Sequence, residues 1–139
     1  MTDAAGLVVQ FAHRVARCPG GTSAELFTAL GVPGSLETEF GAERVLPPPA
    51  GTTRVRITGG VASLATVEVW PADPLTLSDL DARLGERQEL PRVHWDDPHH
   101  SAYDVRVEDP PGRCTVFARS RGVTPDVLVE SVLLRTEPR

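Results

Sequence analysis

His94, Asp96, Asp97, His99, His100 and Asp104 crowd into positions 94–104, the densest run of ligating side chains in the sequence. Imidazole and carboxylate together suit a borderline metal such as zinc or iron. His94-Trp95-Asp96 has the H-x-D spacing of a two-histidine, one-carboxylate iron site. No histidine after His100 supplies the distal ligand such a site needs. Pro98 interrupts the run and favours an exposed turn, in which the same groups would meet only water. The metal reading therefore names His94, Asp96, His99 and His100 as candidate ligands. Metal analysis of untagged protein checks it.

Other reactive types are sparse. Cys114 with a histidine would make a nucleophile–base pair. It sits beside Val116 and Ala118, however, where a small thiol is ordinary packing. Glu37, Glu39 and Glu43 form a mild acidic run that reads as a solvated face. Gly20-Gly21 precedes a helical pattern and could cradle a phosphate at its N-terminus. The chain has no lysine and no Walker or G-x-G-x-x-G pattern to complete such a site. No cofactor is implied, and a non-catalytic role is the expectation. Trp70, Trp95 and Tyr103, on or beside expected strands, are the candidate partner anchors. Phe117 is expected in the core.

Composition narrows the partner classes. The 139 residues carry a net charge of −5, and arginine supplies every fixed cation. These arginines are scattered among carboxylates rather than clustered, which argues against nucleic acid as a partner. No apolar run approaches the length of a membrane span, and Asp3 stands where a signal peptide would be basic. A cytoplasmic location is expected. Cys18 and Cys114 are too few for a disulfide scaffold. They read as two reduced, buried thiols, with a single Cys18–Cys114 bridge as the alternative.

The elements that must position these residues show an internal echo. TSAELFTALG at Thr22 matches TLSDLDARLG at Thr76 in Thr22/Thr76, Leu26/Leu80, Leu30/Leu84 and Gly31/Gly85. RVRIT at 54–58 echoes DVRVE at 104–108. Each Thr-headed segment reads as a short capped helix ended by its glycine. Residues 7–17 carry a helical stripe of Leu7, Val8, Phe11, Ala12 and Val15. Alternation predicts strands at 53–58, 61–70, 102–108 and 114–120, with Gly59-Gly60 as a hairpin turn. Residues 127–135 read as a strand, with a helix as the alternative because Thr124-Pro125-Asp126 precedes them.

The expected fold is α+β: one domain over 1–139, an antiparallel sheet with short helices on one face. It is built from two related α-β-β-β halves, 1–70 and 75–139. A homodimer is the expected assembly, two-fold pairs being the commonest.

A helix followed by three antiparallel strands, given twice, resembles the tandem α/β architecture of β-lactamase-inhibitor proteins and of small outer-membrane-assembly lipoproteins. Leu30-Gly31, Leu84-Gly85 and the closing segments Val61-Ala62-Ser63-Leu64 and Val129-Glu130-Ser131-Val132 carry it. That resemblance implies a concave sheet that binds another protein and performs no chemistry. The stretches VEVWPADPLTLSDLDARLGE and VEDPPGRCTVF are similar to the second module of the vicinal-oxygen-chelate family of glyoxalases and antibiotic-binding resistance proteins. This second resemblance implies small-molecule binding or a metal-dependent lyase or isomerase reaction. His13 and Glu68 would fall at its ligand positions, with Phe117 and Arg119 where the final strand should supply another. Under either reading the helix cores carry the stability, and Leu84→Ala is expected to cost about 2–5 kcal/mol by denaturant unfolding.

Overall fold

The computed structural model describes residues 3–18, 22–59, 65–109 and 111–136. Three helices, α1 (Ala4–Arg17), α2 (Ser23–Leu30) and α3 (Leu77–Leu84), accompany eight strands. The strands are β1 (Ser35–Glu39), β2 (Ala42–Leu46), β3 (Thr52–Thr58), β4 (Thr66–Pro71), β5 (Gln88–Glu89), β6 (His99–Val107), β7 (Gly112–Ser120) and β8 (Val129–Thr136). They form one antiparallel sheet in the order β1-β2-β3-β4-β8-β7-β6-β5. The α+β architecture with helices on one face is as the sequence predicts.

Local chemistry sets the helix limits. Asp3 caps α1 by accepting from the Gly6 amide at 2.7 Å. Thr22 caps α2 through the Glu25 amide at 3.2 Å. Thr76 and Asp79 form a reciprocal capping box on α3, with bonds of 3.1 and 3.0 Å. Gly31, at φ 64°, closes α2 in the left-handed region, which costs glycine little. Arg14 of α1 donates to the Leu30 carbonyl at the same helix end, placing a cation where the dipole is negative.

The core fills the space between helices and sheet. Val55 and Ile57 of β3, Val67 and Val69 of β4, and Val132 and Leu134 of β8 point into it, all fully buried. Helix α1 crosses β6, β7 and β8 with Val8, Phe11, Ala12 and Val15 turned inward. Its alanines permit close approach. Gly112 at the start of β7 shows how close: a Cβ there would stand 1.8 Å from the Ala16 carbonyl oxygen. The two cysteines are buried.

Several expectations need correction. Each edge-to-centre set holds four strands, not three: the β1–β2 hairpin in the first and the short β5 in the second were not foreseen, and α1 has no counterpart in the second set. RVRIT lies in β3, third from the β1 edge, while DVRVE covers the end of β6, second from the β5 edge, so that echo joins unlike places. Leu80 is fully buried, as Leu26 is, but Leu84 is only partly buried and Leu30 fully. Phe117 faces away from the core. The segments Gly20-Gly21 and Gly60–Leu64, with the expected turn and the Val-x-Ser-Leu echo, lie outside the described residues. The 127–135 run is a strand, β8, and it is central.

Burial difference transfers the largest truncation cost from Leu84 to Leu80. Leu80→Ala is expected to lower the unfolding free energy by about 2–5 kcal/mol, and Leu84→Ala by less. Equal losses in urea titrations of the two variants would contradict this packing.

Candidate binding face

Strand alternation gives the sheet a second face that the helices leave uncovered. Strand register carries one row of side chains across it: Glu37, Arg44, Arg56, Glu68, Leu133, Phe117, Ala102 and Gln88. The row begins ionic and becomes apolar. On β1–β4, Arg56 donates to Glu68 at 2.8 Å and Arg54 to Glu39 at 2.8 Å. Arg44 lies 3.9 Å from Glu37 and 3.8 Å from Glu39. The guanidinium carbons of Arg54 and Arg56 sit 5.1 and 5.6 Å from the centre of the Trp70 ring, a cation–π arrangement on a half-buried indole.

On β6–β8 the floor is Leu133 and Phe117, both half-buried. Arg135 lies over Phe117 at 4.8 Å. Ser131 donates to Glu68 at 3.1 Å, which ties β8 to β4 on this face. Together with Leu90, His100 and Arg119 these side chains line a concavity of ≈ 300 Å³. Further along β6, Asp104 receives Arg113 and Arg106, each at 3.0 Å. The Arg113 hydrogen bond above all, then that of Arg106, holds the Asp104 carboxyl below its ordinary range.

Cations outnumber carboxylates here. Arg44, Arg54, Arg56, Arg106, Arg113, Arg119 and Arg135 stand against Glu37, Glu39, Glu68 and Asp104 by register and alternation, with Glu130 beside Arg119 at the β8 bulge. The chain as a whole carries −5. The open face is thus electropositive on an acidic protein.

The proposed ligands do not converge. His94 and Asp97 close a turn, the His94 amide donating to the Asp97 carboxylate at 2.9 Å. His94 and Asp96 are exposed. His99 and His100 are successive residues of β6 and point to opposite faces. Among the described residues no three His, Cys, Asp or Glu side chains gather where a metal could sit. His13 lies on α1, which packs on the core side, whereas Glu68 lies on the open face. The sheet separates that pair.

The aromatic candidates divide three ways. Trp70 lies on the open face. Trp95 is 86% exposed on the loop between β5 and β6. Tyr103, expected as a surface anchor, is 1% exposed. Its hydroxyl donates to Asp81 of α3 at 2.8 Å, and Asp81 is paired with Arg87, which in turn donates to the Val123 carbonyl at 2.8 Å. The residue is a core latch between α3 and β6. Phe40 was overlooked altogether. It is fully exposed at the β1–β2 turn with φ 45°, beside Gly41 at φ 81°, and the Glu-rich sequence around it lacked the apolar alternation that announces a hairpin.

No protein-family model, no curated protein and no solved structure matches this chain. Among the described residues, no helix is long and apolar enough to cross a membrane.

The Tyr103 latch makes a test of its own. Burial first, then the hydrogen bond and charge of Asp81, raise the phenol well above its ordinary 10.0. Below that value the side chain is neutral in folded and unfolded chains alike. Above it the unfolded phenol ionises while the folded one keeps its proton, so stability falls as pH climbs. The chain has a single tyrosine, so alkaline absorbance titration reads Tyr103 alone. Phenolate is expected to appear only with unfolding. Tyr103→Phe should cost about 1 kcal/mol at neutral pH and remove much of the alkaline decline.

Proposed function

We propose that this chain is a non-catalytic binding module and that its open sheet face holds an acidic partner protein. The observation that carries the reading is the union of half-exposed Trp70, Phe117 and Leu133 with surplus arginine on one face. Tryptophan and arginine are the side chains that most often anchor interfaces. Arginines stacked on aromatic rings keep their forks oriented, which lowers the entropy lost when a carboxylate docks. Glu39, Glu68 and Asp104 interrupt the cations, an arrangement better suited to a patterned protein surface than to a continuous phosphate backbone. The same cation surplus opposes pairing of this face with itself, so a homodimer would form elsewhere.

We read residues 1–70 and 75–139 as related halves. Both sets place strands from edge to centre in chain order, and in both a Thr-capped helix that a glycine ends directly precedes the strands. This supports the tandem α/β binding architecture that the sequence resembles.

A peptide-display selection on the folded protein tests the binding reading. Enriched sequences are expected to combine Asp or Glu with Leu, Phe or Trp. Calorimetry should show their affinity falling about tenfold or more in a Trp70→Ala, Arg54→Ala variant, and falling with salt. Trp95→Ala should leave it unchanged. No enrichment, binding insensitive to the face variants, or tighter binding of single-stranded nucleic acid would defeat the reading.

A further inference from the structure

We propose that the concavity on β6–β8 is a subsite for a carboxylate borne next to a large apolar group, as at a chain terminus or acidic–aromatic segment of the partner. The proposal rests on the binding-face reading and assigns its chemistry at one place.

The floor supplies the apolar half. Leu133 and Phe117 are neighbours in register on β8 and β7, and Leu90 closes the β5 side. Such a floor gains from covering by an apolar or aromatic group. The ≈ 300 Å³ volume is at the small end of ligand sites, which suits one side chain and its terminus rather than a cofactor.

The wall supplies the charge. Arg119 and His100 stand opposite each other across β7 and β6. Among the described residues Arg119 has one ion-pair partner, Glu130, at 3.7 Å from its Nε, beyond hydrogen-bond range; Asp96 and Asp97 line a neighbouring concavity with it. Glu130 instead accepts from Arg121 at 3.1 Å. The Arg119 fork is therefore lightly engaged beside the cavity. Arg135 bounds the far side, fixed over the Phe117 ring. Glu68 does not oppose an incoming anion strongly, since its two oxygens already meet Arg56 and Ser131. A carboxylate entering here finds a planar guanidinium able to bind it in bidentate fashion and an apolar floor for whatever carries it.

N-acetyl-L-phenylalanine, its uncharged amide and benzoate serve as probes in amide NMR titrations of the whole protein. The acid should shift His100, Phe117, Arg119 and Leu133, with a dissociation constant on the order of 1 mM. The amide should bind about tenfold more weakly, and Arg119→Gln should weaken the acid to a similar degree. Arg83→Gln, on α3 at the helix side of the sheet, should not. Leu133→Ala or Phe117→Leu should weaken acid and amide alike. Equal binding of acid and amide, shifts confined elsewhere, or no shifts would overturn the subsite. Tighter binding of benzoate than of the blocked amino acid would assign the cavity to a free small acid and overturn it too. If the subsite fails while display peptides still depend on Trp70 and Arg54, the broader face reading stands. If the subsite holds and those peptides do not, only the broader reading falls.

Discussion

The β4–β8 ladder is the joint on which this sheet depends. Thr66–Val69 pair with Val132–Arg135 in unbroken antiparallel register, joining segments far apart in sequence. Without it the strands would be two four-stranded pieces, each with a long unpaired edge. The same ladder sets both surfaces. Val67, Val69, Val132 and Leu134 go to the helix side and are fully buried. Glu68, Leu133 and Ser131 go to the other. A one-residue slip would exchange the two sets and put valines in water, so burial on one side fixes the arrangement of polar groups on the other.

Cover on one side only makes the second face an energetic compromise. Helices bury the aliphatic side chains, each contributing about 1.5–3 kcal/mol. The uncovered face cannot gain in that way. Its stability comes from cross-strand pairs, Arg56 with Glu68 and Arg54 with Trp70, each a modest contributor in contact with solvent. Arginine suits this setting because its stem covers apolar surface while its head stays wet.

Much of the fold was legible because apolar periodicity is written locally. Val55, Ile57, Val67, Val69, Val105 and Val116 alternate as core strands must, and all are buried. The Thr and Gly residues that bound α2 and α3 follow from backbone chemistry alone. The candidate site was less legible because a face is a property of register between strands, which no single segment contains. Phe117 looked like core since large aromatics usually are. Only its pairing with Ala102 and Leu133 shows that it belongs with the arginines. Tyr103 failed in the opposite direction, since its partner Asp81 sits on a helix twenty-two positions earlier. The His/Asp cluster looked dense in one dimension, yet strand alternation separates consecutive histidines in space.

The strand made last among the eight lies in the middle of the sheet. On the ribosome, β4 and β7 emerge first and wait with bare rows of amide and carbonyl groups, the kind of edge that recruits other chains. A polypeptide arrested before Val129 would hold two such edges at once. The vulnerable interval in the life of this molecule is therefore the one between β7 and β8, and it ends when a single eight-residue segment slides between two strands already in place.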